Sequence, residues 1–308
     1  MHIRRINGAI GAEITGLRLH PDLDDADVAA LRAALLEHKV VFLPDQGHLD
    51  DAAHAGTVRR LGPLTGAHPT ITGGLDEAAV LPVDSGRGTK SNAWHTDVTF
   101  VDRPPAFTTL RAVTLPPHGG DTVFANTATA YARLPEPLRA LADDLWAEHT
   151  NDYDYATAHA EVEVADASAA YHQEFRATVY RTHHPVVRVH PETHERVFVL
   201  GQFAQKVLGC NPTDGRALID LFQRHITRLE NTVRWHWSPG DVALWDNRST
   251  QHYAVDDYDD RPRRLHRITV AGDVPVSVHG QPSVAVAGDA WLAPREQPVG
   301  GQALASGT

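Results

Sequence analysis

Two short clusters of the sequence combine histidine with a carboxylate at close spacing. In the first, Trp94-His95-Thr96-Asp97, the histidine and the aspartate are two residues apart. If this segment is a strand, both side chains lie on the same face, because side chains alternate with a period of two. The second cluster, residues 245–252, follows a predicted strand and ends in His252. Two histidines and one carboxylate are the ligand set of a non-haem iron facial triad.

The composition limits the ligands that any metal could have. The chain contains 20 histidines in 308 residues but a single cysteine, Cys210. It can form neither an internal disulfide nor a thiolate cluster, so imidazole and carboxylate remain. The formal net charge of −11 argues against nucleic acid or a membrane surface as the main partner. The chain shows neither a signal peptide nor a transmembrane run, which predicts a cytoplasmic protein.

A charged residue within an apolar predicted strand marks a further candidate position. Arg267 lies in the segment Leu265–Val270, where a charge is costly unless it is paired. A guanidinium can hold a carboxylate through two hydrogen bonds, and a structural ion pair with a core acid is the alternative. Residues 119–122, Gly-Gly-Asp-Thr, place two glycines before a strand whose Thr122 hydroxyl could assist Arg267.

The elements that must position these residues are mostly short strands. Helical periodicity is found in three segments only: Asp24–His38, about Ala128–Leu145, and Asp214–His225. Short β-branched or aromatic runs bounded by turn residues predict the strands. They are Lys39–Pro44, Phe107–Leu115, Thr122–Ala125, Pro185–His190, Arg196–Leu200, Thr232–Trp237, Asp241–Trp245 and Leu265–Ala271. A mainly β protein with peripheral helices and a jelly-roll, cupin-like core follows from this pattern.

The chain organisation predicts one domain over residues 1–278. Two long polar segments, at about residues 72–92 and 152–177, are expected to form lid-like loops. The remaining residues 279–308 are rich in Gly, Ala and Pro, which predicts a loosely ordered C-terminal tail.

Four motifs, in matching order and spacing, resemble the taurine dioxygenase family of Fe(II)- and 2-oxoglutarate-dependent oxygenases. They are Trp94–Asp97, Gly119–Thr122, Trp245–His252 and His266-Arg267. The resemblance runs from about Gly8 to Pro275 and implies a double-stranded β-helix. It also implies O2 and 2-oxoglutarate as cosubstrates and hydroxylation as the reaction.

The resemblance implies roles for individual residues. The Fe(II) ligands would be His95, Asp97 and His252. Thr122 and Arg267 would hold the distal carboxylate of 2-oxoglutarate, and Arg263 would lie near the same cosubstrate. Halogenating relatives replace the carboxylate ligand by a small residue, so Asp97 favours hydroxylation.

Within the family, the sequence is similar to the alkylsulfate dioxygenases of the sulfonate and sulfate ester branch. His68 matches a histidine that contacts the sulfonate, whereas Ile71 and Ser91 replace a tyrosine and an asparagine of taurine dioxygenase. These two changes favour an alkyl chain over a small amino-sulfonate. The expected substrate is a small anion, an alkyl sulfate, hydroxylated beside the ester so that sulfate and an aldehyde are released.

Other functions remain open at this point. Within the family they are a taurine or alkanesulfonate dioxygenase and a tailoring hydroxylase acting on an amino acid or a natural-product intermediate. From other classes they are a Zn-dependent sulfate ester hydrolase and a binding protein without activity. A hydrolase has no need of the carboxylate clamp formed by Arg267 and Thr122, and a silent binding protein would be expected to lose a ligand. The resemblance further implies a homo-oligomer, either a dimer or a tetramer.

Overall fold

The structure, a computed structural model, describes residues 1–71, 79–87, 91–152 and 173–288. The strands are β1 (His2–Arg5), β2 (Ala12–Thr15), β3 (Val40–Leu43), β4 (Leu81–Asp84), β5 (Phe107–Thr114), β6 (Thr122–Asn126), β7 (Trp146–Thr150), β8 (Arg181–Pro185), β9 (Val187–Val189), β10 (Arg196–Phe198), β11 (Ala204–Val207), β12 (Thr232–Trp235), β13 (Val242–Asp246), β14 (Thr250–Ala254), β15 (Arg264–Val270) and β16 (Val284–Ala287). The helices are α1 (Asp25–His38), α2 (Asp51–Arg59), α3 (Thr127–Ala132), α4 (Glu136–Asp144) and α5 (Pro212–Ile226).

Two sheets face each other to form the core that holds the site. The larger has seven strands in the order β1-β2-β3-β13-β5-β15-β4, and the smaller has the order β12-β6-β14. Phe124 of the smaller sheet packs between them, with its ring 5.7 Å from that of Phe42 and 5.3 Å from that of Trp245. In both sheets, the strand order places strands next to each other that are far apart in the sequence. The predicted jelly-roll core with a mainly β composition is confirmed.

The helices cover the outside of this core. On the large sheet, α1 and α2 bury Leu31, Leu35 and Val58 against apolar side chains such as Val41. On the other side, Phe222 of α5 packs against Phe198 of β10, with 5.3 Å between their rings. Both helical layers thus pack on the outer sides of the sheets.

The predicted helices are found with one correction. Helix α1 is capped as its sequence predicts, since the carboxylate of Asp24 accepts a hydrogen bond from the Asp27 N–H at 2.7 Å. A single helix over about 128–145 is wrong, because the chain forms α3 and α4 there. Pro135 lies between the two helices and has no N–H to continue the helical hydrogen-bond pattern.

The segments predicted as lids and tail fall partly on residues 72–78, 88–90, 153–172 and 289–308, which lie outside the described residues. Where residues are described, the structure adds two strands. Within the segment 72–92, β4 pairs with β15 at the edge of the large sheet. Within the predicted tail, β16 pairs with β8, so residues 284–287 belong to a sheet. Among the described residues, no helix has the length and apolar character that a membrane span requires.

A buried histidine on α2 makes the stability of this fold dependent on pH. His54 is fully buried, with its Nε2 2.8 Å from the Oγ1 of Thr109 on β5. Burial, followed by the nearby Arg111, lowers the pKa of His54 from 6.5 to about 3. Below pH 6.5 the unfolded chain therefore takes up a proton that the folded chain cannot hold, and stability falls as the pH falls.

We expect His54→Gln to weaken this pH dependence. One such histidine contributes a slope to the free energy of unfolding that rises from about 0.7 kcal/mol per pH unit at pH 6.5 to about 1.4 kcal/mol per pH unit near pH 5. Glutamine can still bond to Thr109 but does not titrate, so the slope should decrease by about that amount. Urea unfolding at several pH values measures it, and an unchanged slope would contradict the prediction.

Candidate active site

His95 and His252 are held together by their own backbones. They form an isolated antiparallel bridge, in which the N–H of each donates to the carbonyl of the other at 3.1 and 2.8 Å. Their imidazole rings lie on the same side of this bridge, with centroids 4.1 Å apart. Because His252 lies on β14, the bridge attaches the His95 segment to the smaller sheet.

Asp97 reaches the same place by a turn. The strand conformation considered for residues 94–100 is not found, since the chain turns after Asp97 and Val98 has φ +57°. The Oδ1 of Asp97 nevertheless lies 3.9 Å from His95 Nε2 and 4.0 Å from His252 Nε2. The structure thus brings together the three side chains that the sequence singled out, by a geometry that strand alternation does not describe.

The protonation states of these three groups suit a divalent metal. Burial lowers the pKa of His95 and brings that of His252 to about 3. The Nδ1 of His95 lies 2.7 Å from the carbonyl of Ala93, to which it donates, so its Nε2 lone pair is free. Burial alone would raise the pKa of Asp97, but Arg267 and the two histidines bring it to about 2. Neutral imidazoles and an ionised carboxylate are the forms that bind metal.

This group is also distinct from the other histidines of the chain. Within the described parts of the chain, it is the one set of three His, Cys, Asp or Glu residues whose ligand atoms all lie within 4.8 Å of one another. The histidines near β8 have other partners: His184 bonds to Ser283 Oγ at 2.7 Å, and His190 bonds to Asp246 at 3.0 Å. Both histidines therefore form hydrogen bonds that belong to the fold.

Two residues that the sequence did not assign to the site hold Asp97. The Asn247 side chain accepts from the Asp97 N–H at 2.9 Å and donates to the Asp97 carbonyl at 3.1 Å. Thr108 on β5 donates its hydroxyl to Asp97 Oδ2 at 3.0 Å. Neither has a sequence signal of its own, because Asn247 only shares a motif with His252 and Thr108 is one β-branched residue of an apolar strand.

Arg267 points from the large sheet towards the same centre. Its Nη1 donates to Asp97 Oδ1 at 2.7 Å, while its Nε and Nη2 are buried and have no hydrogen-bond partner among the described residues. The neighbouring His266 faces the opposite side and bonds to Asp51 of α2 at 2.6 Å. Arg267 is thus both an ion-pair partner of a buried acid and a source of two further donors. Two donors of one guanidinium are suited to a carboxylate ligand.

Thr122 and Arg263 lie together at the start of β6. Thr122 Oγ1 accepts from Trp237 Nε1 at 3.0 Å and from Arg263 Nη2 at 3.4 Å, which leaves its own O–H proton to donate. Gly120 allows this approach, because a Cβ there would lie 3.0 Å from Arg263 Cδ. No hydrogen bond joins Thr122 to Arg267 among the described residues. The expectation that both side chains hold one carboxylate therefore stays a prediction.

His68 has a defined tautomer. Its Nδ1 accepts from the N–H groups of Thr70 at 3.2 Å and Ile71 at 3.1 Å, so its Nε2 carries the proton. Burial, with a further contribution from Arg267, lowers the pKa of His68 well below its usual range. Its neutral ring can therefore donate one hydrogen bond from Nε2. The third predicted substrate residue, Ser91, accepts at its carbonyl from the N–H of Ala254, two residues beyond His252, at 3.2 Å.

Aromatic side chains, which the sequence did not indicate, surround this end of the site. The Phe203 ring lies 6.2 Å from that of His95 and 5.0 Å from that of Phe100. The Phe175 ring lies 5.7 Å from that of His68. One side of the surroundings of His68 and His95 is therefore aromatic.

A jelly-roll core with two histidines and one carboxylate converging between its sheets defines the class of non-haem Fe(II) oxygenases. Residues 2–269 match the family described as Taurine catabolism dioxygenase TauD, TfdA family. The chain belongs to this family, and the resemblance predicted from its motifs is confirmed.

Individual relatives are similar over most of the chain. An alpha-ketoglutarate-dependent sulfate ester dioxygenase of Pseudomonas putida is 51% identical over 281 residues, covering 91% of this chain and 93% of that protein. An alkylsulfatase of Acinetobacter baylyi is 44% identical over 280 residues, covering 91% and 88%. The crystal structure of a taurine dioxygenase from Burkholderia xenovorans superposes with a TM-score of 0.79 at 39% identity, covering 94% and 95%.

Proposed function

We propose that the chain is an Fe(II)- and 2-oxoglutarate-dependent dioxygenase that hydroxylates the carbon next to the sulfate ester of an alkyl substrate. The observation that carries the reaction class is the buried group of His95, Asp97 and His252. Beside it lie two donors of Arg267 that have no partner in the described parts of the chain. The sulfate ester is favoured by the 51% identical relative, whose name specifies that substrate class.

Different residues of the site would bind Fe(II) and 2-oxoglutarate. His95, Asp97 and His252 would hold Fe(II), which leaves the remaining coordination positions to the cosubstrates. Arg267, through Nε and Nη2, would hold the distal carboxylate of 2-oxoglutarate, and the Thr122 hydroxyl beside Arg263 would donate to the same group. When bound, iron and 2-oxoglutarate supply the oxidation, in which O2 is consumed, 2-oxoglutarate becomes succinate and CO2, and a substrate C–H bond is hydroxylated.

The substrate end of the site matches an anion with an apolar chain. His68 would donate its Nε2–H to a sulfate oxygen. Because its ring is neutral, it would bind the anion through this directional hydrogen bond and not through an ion pair. Ile71 and Ser91, in place of a phenol and an amide, would remove two polar partners of an amino-sulfonate and favour an alkyl chain. Hydroxylation beside the ester oxygen leaves a carbon that carries both a hydroxyl and the sulfate, so sulfate departs and an aldehyde remains.

The alternatives stay within reach of one experiment. Taurine or another alkanesulfonate would be attacked beside sulfur and release sulfite, and a tailoring hydroxylase would retain its product whole. A Zn-dependent hydrolase would release sulfate without O2, but it gives the two donors of Arg267 no role. We further expect a cytoplasmic dimer or tetramer that acts on a small anionic molecule and binds neither nucleic acid nor membrane.

The test compares 2-ethylhexyl sulfate with taurine, in the presence of Fe(II), 2-oxoglutarate and air, by measuring succinate and released sulfate or sulfite. We expect faster succinate formation with the sulfate ester and one sulfate per succinate. Faster turnover of taurine would reverse the choice of substrate. Sulfate release under anaerobic conditions would identify a hydrolase. His95→Ala should form no succinate with either compound. Its control is His183→Ala, which removes a histidine outside the site that bonds to Glu148 at 3.2 Å.

A further inference from the structure

Asp97 lies outside the strand pairing that fixes the other two candidate ligands. His95 and His252 hold each other through two backbone hydrogen bonds. Asp97 is followed at once by Val98 at φ +57°, a backbone region that β-branched residues rarely adopt. Strand pairing therefore cannot determine where the Asp97 carboxylate lies, and another part of the protein must do so.

The side chain of Asn247 takes the place of a strand partner for Asp97. Its amide oxygen accepts from the Asp97 N–H at 2.9 Å, and its amide nitrogen donates to the Asp97 carbonyl at 3.1 Å. The same nitrogen donates to the carbonyl of Pro105 at 3.0 Å, so the amide is almost fully used. Only 1% of Asn247 is exposed, which means that water cannot replace these bonds if they are lost.

Asn247 is itself held rigidly. Its N–H donates to the carbonyl of Ala106 at 2.9 Å. The preceding Asp246 is fully buried and accepts from His190 at 3.0 Å and from Arg248 Nη2 at 2.8 Å. The amide of Asn247 thus lies at the end of β13 between anchored neighbours, and it can impose its position on Asp97.

We propose that Asn247 is a positioning residue that holds Asp97 in its metal-binding place through the Asp97 backbone. It acts without touching the metal, and the inference rests on the proposed function for the use of that site. The carboxylate is otherwise fixed by Thr108 at Oδ2 and Arg267 at Oδ1, which orient the side chain but do not hold the main chain. Loss of the amide frees the turn, and Oδ1 moves away from the two histidines.

The first test measures the affinity of the metal-free protein for Co(II) by anaerobic titration calorimetry, without 2-oxoglutarate. We expect Asn247→Ala to weaken Co(II) binding by about 10- to 100-fold, the usual effect of removing a group that orients a ligand. Asn231→Ala is the matched control, because Asn231 is 2% exposed and donates to the carbonyls of Asn126 at 2.7 Å and Ile226 at 2.8 Å, with no contact to the ligands. It should lose stability but keep the wild-type affinity.

Two outcomes overturn the proposal. One is an Asn247→Ala protein with wild-type affinity, and the other is an equal loss of affinity in Asn231→Ala, which would mean that any loosening of the fold has this effect. If Asn247→Ala does not fold, Asn247→Ser replaces it, since its hydroxyl can restore one bond and should give an intermediate affinity. Wild-type affinity in Asn247→Ser would contradict the proposal in the same way.

A double-mutant cycle separates action through Asp97 from a general effect on the site. In the Asp97→Ala background, the two histidines still offer a weak Co(II) site, whose affinity is measured at high Co(II) concentration. Asn247→Ala should have no further effect on that weak affinity, because the group that it positions is gone. A further loss of the same size as in the wild-type background would overturn the proposal. Failure of the wild-type protein to bind Co(II) or to turn over 2-oxoglutarate would refute the proposed function instead, so the two failures are distinguishable.

Discussion

Alanine in place of Asp97 is expected to remove tight metal binding and to abolish succinate formation. The substitution leaves two imidazoles as ligands, and it also leaves the Nη1 of Arg267 without its 2.7 Å partner. An unpaired guanidinium beside two neutral histidines repels a divalent cation, so the loss should exceed the ~10- to 100-fold typical of changes around the ligands. His95→Ala should have a comparable effect, because it removes one side of the bridged histidine pair.

The measurement is the visible charge-transfer absorption that forms when Fe(II) and 2-oxoglutarate are added anaerobically. We expect the band in the wild-type protein and no band in Asp97→Ala or His95→Ala. Asp143→Ala is the control. Asp143 also forms an ion pair of 2.7 Å, with Arg196, but this pair lies outside the metal site. A wild-type protein with neither band nor uncoupled 2-oxoglutarate turnover would refute the oxygenase assignment.

The second large effect is expected for Arg267→Ala, which should weaken the binding of 2-oxoglutarate. Removing one partner of a buried, hydrogen-bonded charge pair costs about 2–5 kcal/mol, which corresponds to ~30- to 5000-fold in KM for 2-oxoglutarate. Arg267→Lys should recover only part of this, because an ammonium is a point charge and lacks the planar pair of donors. The KM for the sulfate ester should change far less, since His68 binds that end.

A cosubstrate analogue makes this test specific. Wild-type protein should prefer 2-oxoglutarate to 2-oxovalerate, which lacks the distal carboxylate, and Arg267→Ala should lose the preference. Arg188→Ala is the control, because Arg188 is 3% exposed and pairs with Asp273 at 2.5 Å. It should reduce stability without changing the preference for 2-oxoglutarate over 2-oxovalerate. A retained preference in Arg267→Ala would show that another group, such as Arg263, binds the carboxylate.

The sequence predicted well the parts of the fold whose burial is apolar. Strands β5, β13 and β15 contain buried aliphatic, β-branched or aromatic residues, and their predicted limits lie within one or two residues of the structure. Helix α1 also follows its periodicity and its Asp24 cap. In these segments, local preference and tertiary burial agree.

Strands with buried polar side chains could not be predicted in this way. The sequences of β7 and β8 are WAEHT and RTHHP, yet His149 and His184 in them are fully buried. His149 Nδ1 bonds to Thr99 Oγ1 at 2.9 Å, and His184 Nε2 bonds to the Thr99 carbonyl at 2.8 Å. Such partners come from distant parts of the chain, and no local pattern shows them.

The same distinction applies to the site. The order and spacing of the motifs that contain His95, Asp97 and His252 predicted that these three side chains form one site. The turn at Val98 and the supporting contacts of Thr108 and Asn247 had no such signal. Each depends on a partner in another strand, and a buried threonine or asparagine looks like any other polar residue in the sequence.

The bridge between His95 and His252 has a consequence for how the protein is made. Contacts around it, such as that from Thr96 to the carbonyl of Thr250, join residues 154 apart in the chain. A closure of that length comes late in folding, so a chain still leaving the ribosome cannot bind iron between these histidines until β14 has emerged and docked. Bound iron would then join the first and last thirds of the chain, and it would stabilise the folded state because the unfolded chain has no such site.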